Sequence, residues 1–145
     1  MYRFNLEPLL NHRRYLVEVL QKELADCKIR LHAEKDKLWV LRKKKRKTVL
    51  QLQEKQTDGR PASEIKLYID FVERLLKEVE AQRQKVLEAE RLFSIKRQDL
   101  VTAMKKRKIL DRLKEKGLQD YEQEQLKRER NLMDEVAGHQ FNHKR

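Results

Sequence analysis

"KQTDGRPASE", residues 55–64, is the one place in this chain where Gly and Pro fall close together. Gly59 can take the left-handed backbone conformation that closes a helix, and Pro61 cannot continue one. Helix formers and charged residues fill the sequence on both sides. The stretch therefore reads as a single hinge between two long helices, and it decides the fold class.

Helix one is expected over residues 6–56. Asn5 is the candidate N-cap, its side chain accepting from an otherwise orphan backbone N–H, and Pro8 is tolerable in a first turn. Apolar residues recur at alternating spacings of three and four: Leu6, Leu10, Val17, Leu20, Leu24, Cys27, Leu31, Leu38, Leu41 and Leu52. Arg13, Glu34, Lys45 and Thr48 occupy the remaining positions of that frame. This is the seam of a coiled coil rather than a disordered polyampholyte.

The hinge is expected at residues 57–62, and Pro61 or Ser63 starts helix two. That helix is expected over residues 63–137, with Gly138 as its stop and a flexible tail over 138–145. Its seam runs Ile65, Tyr68, Val72, Leu75, Val79, Val86, Ala89, Phe93, Leu100, Ala103 and Leu110, with Gln82, Lys96 and Arg107 as polar members. In an antiparallel hairpin the position numbers of facing residues add to a constant. Leu52 with Ile65, Leu38 with Val79, Leu31 with Val86, Leu24 with Phe93 and Val17 with Leu100 all give one total. The expected fold is all-α: one long two-helix antiparallel coiled-coil hairpin with a C-terminal helical extension. In this register helix one ends its pairing near Leu110 or Asp111. At 1.5 Å per residue the lone arm runs on the order of 40 Å past a paired length of roughly 70 Å. The arm carries Leu113, Tyr121, Leu126, Leu132, Met133 and Val136, with Gly117 as a weak point. A lone helix of this kind needs something to bury its apolar residues against.

Charged residues make up 41% of the chain and the formal net charge is +12, which favours acidic partners: nucleic acid, an anionic membrane surface or an acidic protein rim. The lone cysteine, Cys27, permits no intrachain disulfide and fits a reducing compartment. The opening residues hold no apolar run suited to a signal peptide, and no stretch approaches the roughly 18 apolar residues of a membrane span. The expectation is a soluble, cytosolic protein.

The chemistry of catalysis is not visible. There is no phosphate-binding G-x-x-x-x-G-K-[ST] loop. Ser63 and Ser94 lack a neighbouring His with a third orienting group. Cys27 on the seam reads as a small buried hydrophobe. His139 and His143 have metal-like spacing but no further ligand nearby. No cofactor, metal or catalytic residue is assigned, and the chain reads as a non-enzyme.

Three features stand out. "RKKKRK", residues 42–47, and "KKRK", residues 105–108, are basic runs, the second falling near Arg13 and Arg14 in the proposed register. Each reads either as a solvated helical face or as a polyanion footprint. No aromatic stacking platform or known reader module accompanies them, so no specific nucleic acid is expected. The third feature is an apolar excess. A two-stranded seam uses two positions per heptad, which leaves Ile69, Phe71 and Leu76 beside it, with Trp39 and Val40 at a similar height on helix one. This is either a wider local core or homodimer contact, or a partner-binding patch.

"FNLEPLLNHRRYLVEVLQKELA", residues 4–25, and "LDRLKEKGLQDYEQEQLKRERNLMDEVA", residues 110–137, resemble the flagellar export protein FliJ family. The elements that carry the likeness are "LKEK" at 113–116, Tyr121 and "ERNLMDEVA" at 129–137, with the hinge between the two segments. The resemblance implies a non-enzymatic component of the flagellar type III export apparatus, similar in architecture to the central stalk of rotary ATPases. Its implied partners are the export ATPase hexamer, the membrane-embedded export gate and export chaperones. It implies a cytoplasmic chain, monomeric when free and held at the inner face of the membrane through those partners. On this reading Arg13, Arg14, Lys105, Lys106, Arg107, Lys108, Arg112, Leu113, Tyr121, Leu132 and Met133 would meet the ATPase. Trp39, Ile69, Phe71, Leu75 and Leu76 would meet the gate. The basic run at 42–47 matches no family element. The alternatives are a dimerising coiled-coil scaffold and a basic nucleic-acid-binding protein.

Overall fold

The computed structural model describes residues 1–143, which form two helices, α1 (Glu7–Thr57) and α2 (Ala62–His143). The turn between them is a Schellman motif. Gly59 has φ of 67°, its N–H donates to the Gln56 carbonyl at 3.3 Å, and the Arg60 N–H reaches the Lys55 carbonyl at 3.2 Å. The Pro61 carbonyl then accepts from Glu64 at 3.0 Å and Ile65 at 3.1 Å, so Pro61 caps α2 rather than lying inside it. At the start of α1 the Glu7 N–H donates to the Phe4 carbonyl at 3.1 Å, a backbone contact where Asn5 was expected to serve.

The chain divides into two compact units, Val19–Leu100 and Met1–Glu18 with the chain from Val101 onward. In the first unit α1 and α2 run antiparallel from the turn and bury one apolar cluster. Leu31, Leu38, Val86 and Ala89 form it, with Val79 and Phe93 packed against it. The members of the expected pairs Leu31–Val86 and Leu38–Val79 thus fall in one cluster. Each such side chain taken out of water contributes about 1.5–3 kcal/mol. Glu34, Thr48, Gln82 and Lys96, polar members of the seam in this unit, have hydrogen-bond partners. Gln82 donates its amide to the Glu34 carbonyl at 3.0 Å and also to the Glu34 carboxylate. Thr48, 4% exposed, donates to the Lys44 carbonyl at 2.9 Å. Lys96 reaches Glu23 at 2.7 Å, which raises its pKa through that hydrogen bond and the adjoining negative charge.

In the second unit Leu10, Val17 and Leu110 are buried, at 0%, 2% and 7% exposure. The pairing here runs further than expected. Glu7 binds Lys114 at 2.8 Å. The segment before α1 then continues along α2: Tyr2 packs on Gly117, its ring lies 5.8 Å from that of Tyr121, and the Met1 amino group donates to the Tyr121 hydroxyl at 2.8 Å. The arm of α2 without a neighbouring segment therefore begins after Tyr121 rather than after Asp111. Gly117, expected as a weak point of the arm, is where the Tyr2 ring packs.

The end of α2 also differs from expectation. Gly138 does not stop the helix, which runs to His143. Only Gly59 adopts positive φ among the glycines, and a glycine that keeps helical φ weakens a helix without ending it. The tail expected at 138–145 is thus helical through His143, and its last two residues lie outside the described part.

Candidate partner-binding surfaces

The basic belt of the second unit is assembled from both helices. Asp111 divides it. Arg14 donates to Asp111 at 3.0 Å, and Arg107 approaches the same carboxylate at 3.6 Å, too far for its buried Nε–H to donate a hydrogen bond. Two of the seven expected cations are therefore partly neutralised from within. Arg13, Lys105, Lys106, Lys108 and Arg112 have no acidic partner among the described residues and keep their charge for an external one. Leu9, at 39% exposure, and Ile109, at 59%, line a shallow groove with Arg13 and Lys106. Neither apolar residue was singled out in the sequence. Leu9 lies off the seam beside Leu10, which is the signal that could have found it.

Beyond Tyr121 the side chains of α2 are almost all exposed. Leu118, Leu126, Leu132, Met133 and Val136 are 41–74% exposed. At about 100° per residue they fall in one sector of the helix roughly 120° wide, which Glu122, Gln125 and Glu129 share. Leu113, at 48% exposure, projects nearly opposite to that sector. Tyr121 is half-buried against Tyr2. Of the apolar residues expected on one ATPase-facing surface, Leu132 and Met133 are together, while Leu113 and Tyr121 stand apart from them.

The apolar excess of the first unit resolves into separate places. Leu75 is 1% exposed and belongs to the core, which removes it from any docking surface of the folded monomer. Its seam position, facing α1, is the reason. Phe71 is half-buried, with the Lys44 ammonium 5.4 Å from its ring centre and the Arg74 guanidinium 5.1 Å away. Ile69 and Leu76, two turns apart on one flank of α2, are 39% and 47% exposed. Trp39 is 63% exposed on α1, with Lys43 lying 5.0 Å from its ring centre.

No group of three or more His, Cys, Asp or Glu is placed to hold a metal among the described residues. His139 and His143 stack at 6.0 Å on the last turns of α2. No described helix is long and apolar enough to cross a membrane.

The sequence model of the family described as "Flagellar FliJ protein" matches residues 2–145. The chain belongs to the FliJ family. Membership makes it a component of a type III protein export apparatus, and the likeness read from residues 4–25 and 110–137 is that of the family itself. Comparison with curated proteins finds no match. Among solved structures, one described as a YscO homologue from Chlamydia trachomatis is similar at a TM-score of 0.76 and 22% identity, covering 100% of this FliJ-family chain and 99% of that one. At that identity the likeness concerns the fold.

Proposed function

We propose that this chain is a non-enzymatic, stalk-like part of the flagellar export apparatus that binds the export ATPase ring and couples it to the export gate and export chaperones. It works on the cytoplasmic side, at the inner face of the membrane. The observation that carries this reading is the α2 arm. It is helical well past the last contact with the N-terminal segment, and it presents Leu126, Leu132, Met133 and Val136 on one exposed face. Such a face is stabilised by entering a pore or groove. The five unpaired cations nearby would orient it against an acidic rim, an attraction weakened by salt. Of the residues expected at the gate, Trp39, Ile69 and Leu76 are exposed and would be left for it, with Phe71 half covered.

The test is stimulation of the partner ATPase. Deleting residues 122–145, which leaves Tyr121 and its contacts in place, is expected to abolish stimulation while the helical content of the remainder persists. Charge reversal at Lys105, Lys106 and Lys108 is expected to slow association and flatten its salt dependence. A truncated chain that stimulates as well as the full one would exclude the stalk role of the arm.

A further inference from the structure

The basic run at 42–47 is not used by the function above, and its placement is specific. Between Asp36 and Glu54, α1 carries no carboxylate. No acidic side chain pairs with any of the six cations among the described residues. Lys45 lies toward the seam and is half-buried, whereas Arg42, Lys43, Lys44, Arg46 and Lys47 are exposed. The run is therefore a concentrated, uncompensated positive charge on one short length of helix.

Large apolar side chains bracket that charge. Trp39, Lys43, Arg46 and Leu50 follow one another at spacings of four, three and four, which stacks them on a single helical face. That face points away from the buried seam residues Leu38 and Thr48. Trp39, Val40 and Leu50 are 63%, 56% and 55% exposed. From Trp39 to Leu50 the face extends about 16 Å along the helix. Shallow grooves run between its side chains, one lined by Trp39, Arg42, Lys43 and Arg46 and another by Arg42, Arg46, Val49 and Leu50.

We infer that this outward face of α1 binds directly to a bilayer surface rich in acidic phospholipid. The cations would sit among lipid phosphates, while Trp39 and Leu50 enter the boundary between headgroups and acyl chains. Exposed Trp and aliphatic side chains beside a lysine- and arginine-rich surface suit that boundary. A nucleic acid fits less well. Successive bases need a row of aromatic platforms, and this face has one ring, already approached by Lys43. The contact goes beyond the export role proposed above, in which the membrane is reached through protein partners.

Trp39 is the only tryptophan, so its fluorescence reports this face alone. The full chain is mixed with vesicles of phosphatidylcholine, with or without about 30% phosphatidylglycerol, and with a single-stranded oligonucleotide as competitor, charge attraction being the variable under test. The expected result is co-sedimentation and a blue shift of Trp39 emission with the anionic vesicles only, both weakened by high salt. The triple variant Lys43→Glu, Arg46→Glu, Lys47→Glu is expected to lose at least about ten-fold in vesicle binding with unchanged circular dichroism. Leu50→Asp, which keeps the basic run, is expected to reduce the blue shift. Failure to bind, equal binding to neutral vesicles, or displacement from anionic vesicles by the oligonucleotide would overturn the inference. The assay contains no ATPase and no gate protein, so its outcome and that of the stimulation test are independent.

Discussion

The ring of Tyr2 lies across Gly117, close enough that a Cβ at position 117 would overlap the Tyr2 hydroxyl. A glycine inside a long helix costs about 1 kcal/mol relative to alanine. Here it leaves room for an aromatic side chain that also packs against Tyr121. The N-terminal segment is thereby held along α2 beyond the start of α1.

That relationship predicts non-additivity. In a Tyr2→Ala background, Gly117→Ala is expected to stabilise the protein by about 1 kcal/mol through helix propensity. In the native background the same change must displace the Tyr2 ring, and most of the gain is expected to vanish. Urea denaturation of the four proteins gives the coupling directly. Effects that add within about 0.3 kcal/mol would show that Tyr2 does not rest on Gly117 in solution.

Gln82 and Glu34 predict a pH dependence. The Glu34 carboxyl is held below the usual carboxylate range, chiefly by the Gln82 hydrogen bond, against a smaller opposing effect of burial and with help from Lys37, Lys85 and Arg30. A carboxylate depressed in the folded state contributes stability above its unfolded pKa and loses it as pH falls through the folded value. Denaturation midpoints should therefore decline on acidification below the usual carboxylate range. Gln82→Leu is expected to move the Glu34 titration, followed by carboxyl NMR, upward toward that range. An unmoved titration would mean that the amide does not reach the carboxylate.

Leu75 and Leu76 are adjacent in sequence and opposite in environment, at 1% and 47% exposure. Leu75→Ala is expected to cost about 2–5 kcal/mol, the range for a buried leucine that leaves a cavity. Leu76→Ala is expected to change stability by less than about 1 kcal/mol, and any functional loss would then come from a missing partner contact. Thermal denaturation of the two variants separates core from surface, and equal losses would show that Leu76 is also packed.

Local order alone accounts for much of this protein. The 3-4 spacing names the seam, and every buried side chain among the described residues, from Leu10 to Leu110 and including the polar Thr48 and Gln82, lies on it. Periodicity is a property of one helix at a time, so it is legible without a fold. The Gly59 turn is legible for the same reason, since its φ is set by one residue and closed by bonds to Lys55 and Gln56. Family membership, too, was visible in the order of residues at the two ends of the chain.

What the tertiary structure decided depends on which residues meet across long separations. The segment before α1 has no period, and nothing local indicates that Tyr2 finds Gly117 and Tyr121. The belt around Lys106 looks uniformly basic in sequence, yet Asp111 pairs with Arg14 and Arg107 and partly neutralises them, because an ion pair needs the right register as well as the right residues. Surplus apolar residues near Leu75 looked like one patch until packing put Leu75 inside, left Leu76 and Ile69 on one flank, and laid Lys44 and Arg74 over Phe71. Gly138 read as a stop, but a glycine ends a helix only where the chain turns into positive φ, and here the backbone stays helical to His143.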